Sequence, residues 1–266
     1  MKILSFDVGG SKIAWASVND NGQLFGEVKT LPTPKTAMEI KDIFHKVISE
    51  SDFDGFALAT AGVVLQNKLT GKPNNLPSGY ENIDFASIVK VPFVIENDAN
   101  AAMWAEYEIG SLHGVKQGIM LTLGTDVGCG IICNGQILRG KCGAAGEVCF
   151  DCSGRSLQRK AAECGSKESD CFAIYDLALK KNGAEREAYK IWQENLLESI
   201  LMLNRILDTE TVVLSGSLAK VVDYAAVNSS VKILAPHNAP QIKPASCGTN
   251  AGIVGAALLC AQKLKG

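Results

Sequence analysis

The amino-acid sequence predicts an α/β protein of two similar halves, each opening with a glycine-turned meander of strands. Three observations predict it. Short apolar runs alternate with helix-period segments in the order β-β-β-α-β-α-β-α; a glycine-rich turn follows the first strand of each half; and the apolar residues are too regularly interrupted for a membrane protein.

In the first half, Ile3 to Asp7, Ile13 to Val18 and Leu24 to Lys29 read as strands. They are separated by Gly9-Gly10-Ser11 and by Asn19-Asp20-Asn21-Gly22, both strong turn signals. Thr36 to Ser49 reads as a helix, with Met38, Ile40, Ile43, Phe44, Val47 and Ile48 mainly on one face, and Phe56 to Ala59 as a buried strand. Val63 to Leu69 is expected as one further strand leading into the breaker-rich loop Gly71-Lys72-Pro73-Asn74-Asn75-Leu76-Pro77. Val91 to Glu96 follows as a strand and Asp98 to Glu108 as a helix closed by Gly110.

The second half begins near Gly118, with strands at Ile119 to Leu123, Gly130 to Cys133 and Gln136 to Leu138, the last two joined by Asn134-Gly135. Arg155 to Asp208 reads as mostly helical. Strands are expected at Thr211 to Leu214 and Val231 to Leu234, before a closing helix from Asn250 to Leu264. The expected division is residues 1–117 and 118–249, with helix 250–266 completing the first lobe and a central cleft between lobes.

The composition narrows the function. At 266 residues with 47% hydrophobic content, the chain has ample material for a packed core. A net charge of −2, with Lys and Arg dispersed, lacks the footprint of a nucleic-acid binder and favours a small-molecule partner. The N-terminus lacks a signal-peptide core, and no apolar window is long enough for a membrane helix, so a cytoplasmic protein is expected. Nine cysteines, an odd number in a large chain, favour reduced thiols over a disulfide framework.

Three segments can carry chemistry. In Asp7-Val8-Gly9-Gly10-Ser11-Lys12 the glycines allow close backbone approach to a phosphate, Ser11 donates, Lys12 is cationic and Asp7 can hold a hydrated Mg²⁺. Read alone it is equally a hairpin turn. Leu123-Gly124-Thr125-Asp126-Val127-Gly128-Cys129-Gly130 occupies the equivalent place in the second half, although Asp126 would repel phosphate unless a cation or an outward orientation relieves it. In Glu96-Asn97-Asp98-Ala99-Asn100 a strand runs into a helix, so Asp98 fits either an N-cap or a base that takes a hydroxyl proton during phosphoryl transfer. His45, His113 and His237 read as ordinary surface or capping residues.

These segments, together with Ala144 to Glu147, Leu214 to Ser217 and Asn250 to Leu259, occur in the order seen in the ROK sugar kinases. The chain resembles that family over essentially its whole length. The resemblance implies the two-lobed actin-like (ribonuclease H-like) ATPase fold, transfer of the ATP γ-phosphate to a sugar hydroxyl, Mg²⁺ as helper and a homodimer. It further implies that Asp98 is the base and that Gly62, Asn75, Asn97 and Glu147 contact the sugar. Asp7, Gly9, Gly10, Ser11 and Lys12 would form the first phosphate segment, Gly124, Thr125, Gly128 and Gly130 the second, and Gly216 the turn near the adenosine. Within the family the helix around Ala101 to Glu106 is most like that of bacterial N-acetylmannosamine kinases, with glucose and N-acetylglucosamine as rival substrates. No helix-turn-helix precedes the kinase motifs, so the repressor members are a poor guide.

Departures are confined to two places. Glu147 is followed by Val148 and Cys149 where relatives carry glycine and the sugar-holding histidine, and the zinc loop is reduced to Asp151-Cys152-Ser153-Gly154-Arg155-Ser156. No structural zinc is expected, because one retained thiol cannot supply four ligands, although Cys149 and Cys152 keep a CxxC spacing. Asp126 and Cys129 replace glycines of the second phosphate segment, where added bulk would narrow the loop.

Overall fold

The computed structural model describes residues 1–266. The chain divides into two compact units, one of Met1–Gly114, Ile137–Ala145 and Ser246–Gly266, the other of Val115–Gln136 and Gly146–Ala245. Residues Ile137–Ala145, which the sequence places with the second half, thus pack in the first unit.

The first unit holds strands β1 (Lys2–Val8), β2 (Lys12–Asn19) and β3 (Leu24–Pro32), then helix α1 (Ala37–Ser49) and β4 (Gly55–Thr60). A capping box starts α1: the Thr36 hydroxyl accepts the Glu39 N–H, and the Glu39 carboxylate accepts the Thr36 N–H at 3.2 Å. Strands β5 (Val64–Leu65) and β6 (Lys68–Leu69) replace the single strand expected there. Gln66 and Asn67 both take positive φ, the geometry of a two-residue hairpin, so the chain reverses where the apolar pattern reads as continuous. The short helix α2 (Phe85–Ile88), β7 (Phe93–Asn97) and α3 (Asp98–Ile109) follow.

The second unit repeats the scheme with β8 (Gln117–Leu123), β9 (Val127–Cys133) and β10 (Gln136–Ile137), then α4 (Gly154–Glu163), α5 (Cys171–Lys180) and α6 (Ala184–Leu207). Strand β11 (Thr211–Ser215), helix α7 (Tyr224–Leu234) and β12 (Gln241–Pro244) complete it, and α8 (Ala251–Lys265) returns to the first unit. The sheet orders are β3-β2-β1-β4-β7 and β10-β9-β8-β11-β12, one topology used twice. The expected duplication is therefore present strand for strand.

The strand expected at Val231 to Leu234 is instead the last turn of α7. Asp223 caps that helix by accepting the Ala226 N–H at 3.0 Å, and of the apolar run only Val231 is buried while Ile233 and Leu234 are exposed. The fifth strand is β12, whose Pro244 argues against a strand in the sequence but is tolerated because β12 lies at the sheet edge.

In the first unit, strand alternation sends two kinds of side chain to the two sheet faces. Leu4, Phe6, Phe56 and Leu58 pack with Ile40 and Phe44 of α1 and with Phe85 in an aromatic-rich cluster. Ile3, Ala14, Ala16, Ala57 and Ala59 form the other cluster with Ala101 of α3 and Ile253, Ala256 and Ala257 of α8. Small residues on that face bring α3 and α8 close to the sheet, and the Ser5 hydroxyl donates to the Ile253 carbonyl at 2.7 Å. No helix is long and apolar enough to cross a membrane.

Candidate active site

In the first unit, β1, β4 and β7 are parallel, and Val8, Thr60 and Asn97 form one row across their carboxyl ends. Beyond that row β1 turns into β2. The Gly9 N–H donates to the Lys12 carbonyl at 3.0 Å, and Thr33 holds the turn through the Ser11 carbonyl (3.1 Å) and, from its hydroxyl, the Gly9 carbonyl (2.6 Å). Ser11 and Lys12 are left exposed. Gly10 is required by a close approach: a Cβ there would stand 2.7 Å from the Asn75 Cβ and 2.8 Å from its carbonyl oxygen. The glycine turn therefore abuts the loop that carries Asn75.

Asn97 is the N-cap of α3. Its Oδ1 accepts the Asn100 N–H at 3.1 Å, and its Nδ2 donates to the carbonyl of Gly62 at 3.0 Å, where φ is +104°. Asp98 is thereby relieved of capping. Its carboxylate accepts backbone N–H groups at the start of the helix, that of Ala99 at 2.8 Å, and burial outweighs them and pushes its pKa up. Asp7 faces the same region. Burial first, and the Asp98 charge second, push it up to about 6 against the opposing pull of Lys12. Helix α8 comes close enough that a Cβ on Gly252 would lie 2.8 Å from the Asp7 Oδ2. Below them the buried Tyr80 hydroxyl shares a 2.9 Å hydrogen bond with Thr60.

Glu96, one residue before Asn97, is 2% exposed and fully engaged. Its Oε1 accepts the Asn97 N–H (3.0 Å) and Asn100 Nδ2 (3.2 Å), while Oε2 accepts Arg139 Nε (3.0 Å) and Nη2 (2.6 Å). Sequence reasoning missed Arg139 because its partner lies 43 residues away.

The second unit builds a matching strand end. Thr122 of β8 and Ser215 of β11 are in register, and β8 turns into β9 through Gly124, whose N–H donates to the Asp126 carbonyl at 3.1 Å. Gly154 N–H donates to the Gly124 carbonyl at 2.8 Å, and Gly216, at φ +85°, leaves no room for a Cβ against Leu123, whose nitrogen would be 2.8 Å away. Gly124 and Thr125 form the turn, whereas Gly128 and Gly130 lie inside β9, paired with Thr122 and Met120.

The two substitutions of this segment have physical answers. Arg155 Nη1 binds both oxygens of Asp126, at 2.9 and 3.2 Å, supplying the cation that a carboxylate at such a turn requires. The Cys129 side chain is 4% exposed, so it adds no bulk to the exposed turn, and burial pushes its thiol up to about 12. Glu147 is exposed and makes no hydrogen bond within the chain. Cys149 is exposed while Cys152 is buried beside Ser199, and no three Cys, His, Asp or Glu side chains gather into a metal-holding group. All three histidines are exposed, and His113 Nδ1 meets the Glu108 carbonyl at 2.8 Å past the end of α3.

The ROK family model matches residues 3–150 and 149–263. The chain belongs to the ROK family. An N-acetylmannosamine kinase from Yersinia pestis is 27% identical over 288 aligned positions, covering 97% of each chain. Among solved structures, a ROK hexokinase from Thermus thermophilus superposes with a TM-score of 0.86 at 23% identity, over 100% of this chain and 99% of that one. A ROK family glucokinase from Streptomyces griseus, in complex with glucose and AMPPNP, gives 0.77 at 24% identity, over 98% and 100%. This ROK protein has the actin-like ATPase fold and is a carbohydrate kinase.

The Asp7 carboxyl carries a stability cost with a defined pH window. Folded, it keeps its proton up to about pH 6, whereas the unfolded chain releases it near 3.8. Folding therefore binds a proton between those values, and above pH 6 the buried carboxylate costs as much as about 3 kcal/mol. Asp7→Asn is expected to raise the melting temperature of the ligand-free protein by several degrees at pH 7.5 and to have no effect at pH 3.5, measured by calorimetry at both pH values. An equal gain at both would show that titration is not its source.

Proposed function

We propose that this ROK sugar kinase transfers the γ-phosphoryl group of ATP to the 6-hydroxyl of N-acetylmannosamine, with Asp98 as the base. The observation that carries the reading is the division of labour at the start of α3: Asn97 caps the helix, leaving the Asp98 carboxylate with local backbone donors and no side-chain partner. A carboxylate whose proton affinity is raised by burial takes a hydroxyl proton more readily than an exposed one. Gly62 and Asn97 are joined by a hydrogen bond beside it, and with Asn75 and Glu147 they are assigned to the sugar.

The two glycine turns are assigned to ATP. Gly9, Gly10, Ser11 and Lys12 provide flexible approach, a hydroxyl and a cation, and Gly124, Thr125, Gly128, Gly130 and Gly216 the corresponding contacts of the second unit. Asp7 suits a hydrated magnesium ion, since its carboxylate takes no hydrogen bond and its burial is costly without a cation. Magnesium bound with ATP would neutralise phosphate charge; the base, the sugar contacts and the cationic Lys12 come from the chain itself.

The choice of N-acetylmannosamine rests on the Yersinia pestis relative, alignable end to end, and glucose is the alternative favoured by the Streptomyces griseus neighbour. A coupled ADP-release assay with N-acetylmannosamine, N-acetylglucosamine and glucose decides between them. Turnover is expected to be fastest with N-acetylmannosamine, to vanish without Mg²⁺ and to survive a zinc-selective chelator. Faster turnover with glucose would reassign the substrate, and sugar binding with no ADP released would mark a sensor.

A further inference from the structure

We propose that Arg139 is a positioning residue for sugar phosphorylation, acting through Glu96 to hold the backbone and side chain of Asn97 in the place that presents Asp98. The inference rests on the reading of Asp98 as base and Asn97 as sugar contact.

Glu96 is a costly group to bury. Its side chain is 3% exposed, and a carboxylate taken that far from water persists as an anion only with a partner. Arg139 is that partner. It comes from Ile137–Ala145, the segment that crosses from the second half of the sequence into the first unit. Two of its nitrogens converge on Oε2, leaving Oε1 for the start of α3. There Oε1 takes the N–H of Asn97 and Nδ2 of Asn100, while Asn97 Nδ2 reaches the Gly62 carbonyl on its other side. Asn97 is gripped on two sides, and Asp98 is the next residue.

The Arg139 segment is itself fastened to this unit. Gly143, at φ +85°, sits so close to β5 that a Cβ would lie 2.9 Å from the Val64 carbonyl carbon, and the Ala145 N–H donates to the Arg139 carbonyl at 3.2 Å. Without the guanidinium, Glu96 would be a buried unpaired anion. It would turn toward water, and that change weakens its hold on Asn97 and Asn100. A point charge on a flexible stem satisfies Glu96 less well than a planar fork.

The test is a set of steady-state kinetics on the full chain with the best sugar of the panel. Arg139→Met is expected to raise the sugar KM at least fivefold and lower kcat at least tenfold while leaving the ATP KM unchanged. A fold defect alone would remove active molecules and leave both KM values where they were. Arg139→Lys should fall between wild type and Arg139→Met. Pairing Arg139→Met with Glu96→Gln should recover part of the sugar KM, because the amide needs no cation yet still accepts from Asn97 and Asn100. A wild-type sugar KM in Arg139→Met, or no recovery in the double variant at unchanged melting temperature, overturns the inference. The readout separates it from the base assignment: an inactive Asp98→Asn beside an unaltered Arg139→Met keeps the base and discards the positioning role.

Discussion

Asp98→Asn is expected to lower kcat by at least about a hundredfold while sugar affinity stays within a few-fold of wild type. The amide keeps the size of the side chain and its acceptor for the Ala99 N–H, so the local fold survives. What it loses is the capacity to take the hydroxyl proton as the phosphoryl group arrives. The pH dependence follows with a definite sign. Burial raises the Asp98 pKa, so the carboxylate is lost to protonation at a higher pH than an ordinary aspartate, and kcat should fall on the acid side above the usual carboxylate range. Asp7 and Tyr80 face the same region: burial, with the Asp98 charge as a lesser cause, raises the pKa of each. Initial rates from pH 5 to 9, together with calorimetric sugar titration of the variant, check both halves. Turnover within tenfold of wild type would remove Asp98 from the role.

The second large effect is on the fold. Gly255→Ala is expected to cost about 3 kcal/mol or more and to lower the melting temperature by roughly 10 °C. Gly255 of α8 crosses α3 so closely that a Cβ would overlap the Ala101 carbonyl oxygen and stand 2.6 Å from its carbonyl carbon and 3.0 Å from the Ala105 nitrogen. Those are backbone atoms, which cannot rotate aside, so the helices must separate and the alanine-lined face beneath them must reopen. Activity should decline with the fold, because α3 begins at Asp98 and α8 begins beside Asp7. Gly71→Ala is the control, since a Cβ there meets nothing within 4 Å. Equal melting temperatures for the two variants would show that the crossing has slack.

Much of this protein was legible from its residues. The alternation of apolar runs, the paired glycine turns and the Asn134-Gly135 hairpin depend on local conformational preference and on strand and helix period, which neighbours in sequence determine. They were enough for the duplicated α/β architecture, for the position of Asp98 at a strand's carboxyl end, and for Asp7 and the first glycine turn. Ordered motifs over the whole chain were enough for the family.

Other features depended on atoms distant in sequence. Whether Asp98 caps its helix or stands free was decided by Asn97, whose capping is coupled to the Gly62 carbonyl 35 residues away. Whether Asp126 is an obstacle was decided by Arg155, and whether Cys129 narrows its loop by the burial of its side chain within β9. The strand read at Val231 became a helix because the Asp223 cap and the packing of a single face outweighed β-branched propensity, and Pro244 became part of a strand because that strand has an edge to spare. Period and turn chemistry are local free energies and can be read along a chain. Charge pairing, burial and edge position are properties of the folded neighbourhood, and they exist only once the segments that supply it have met.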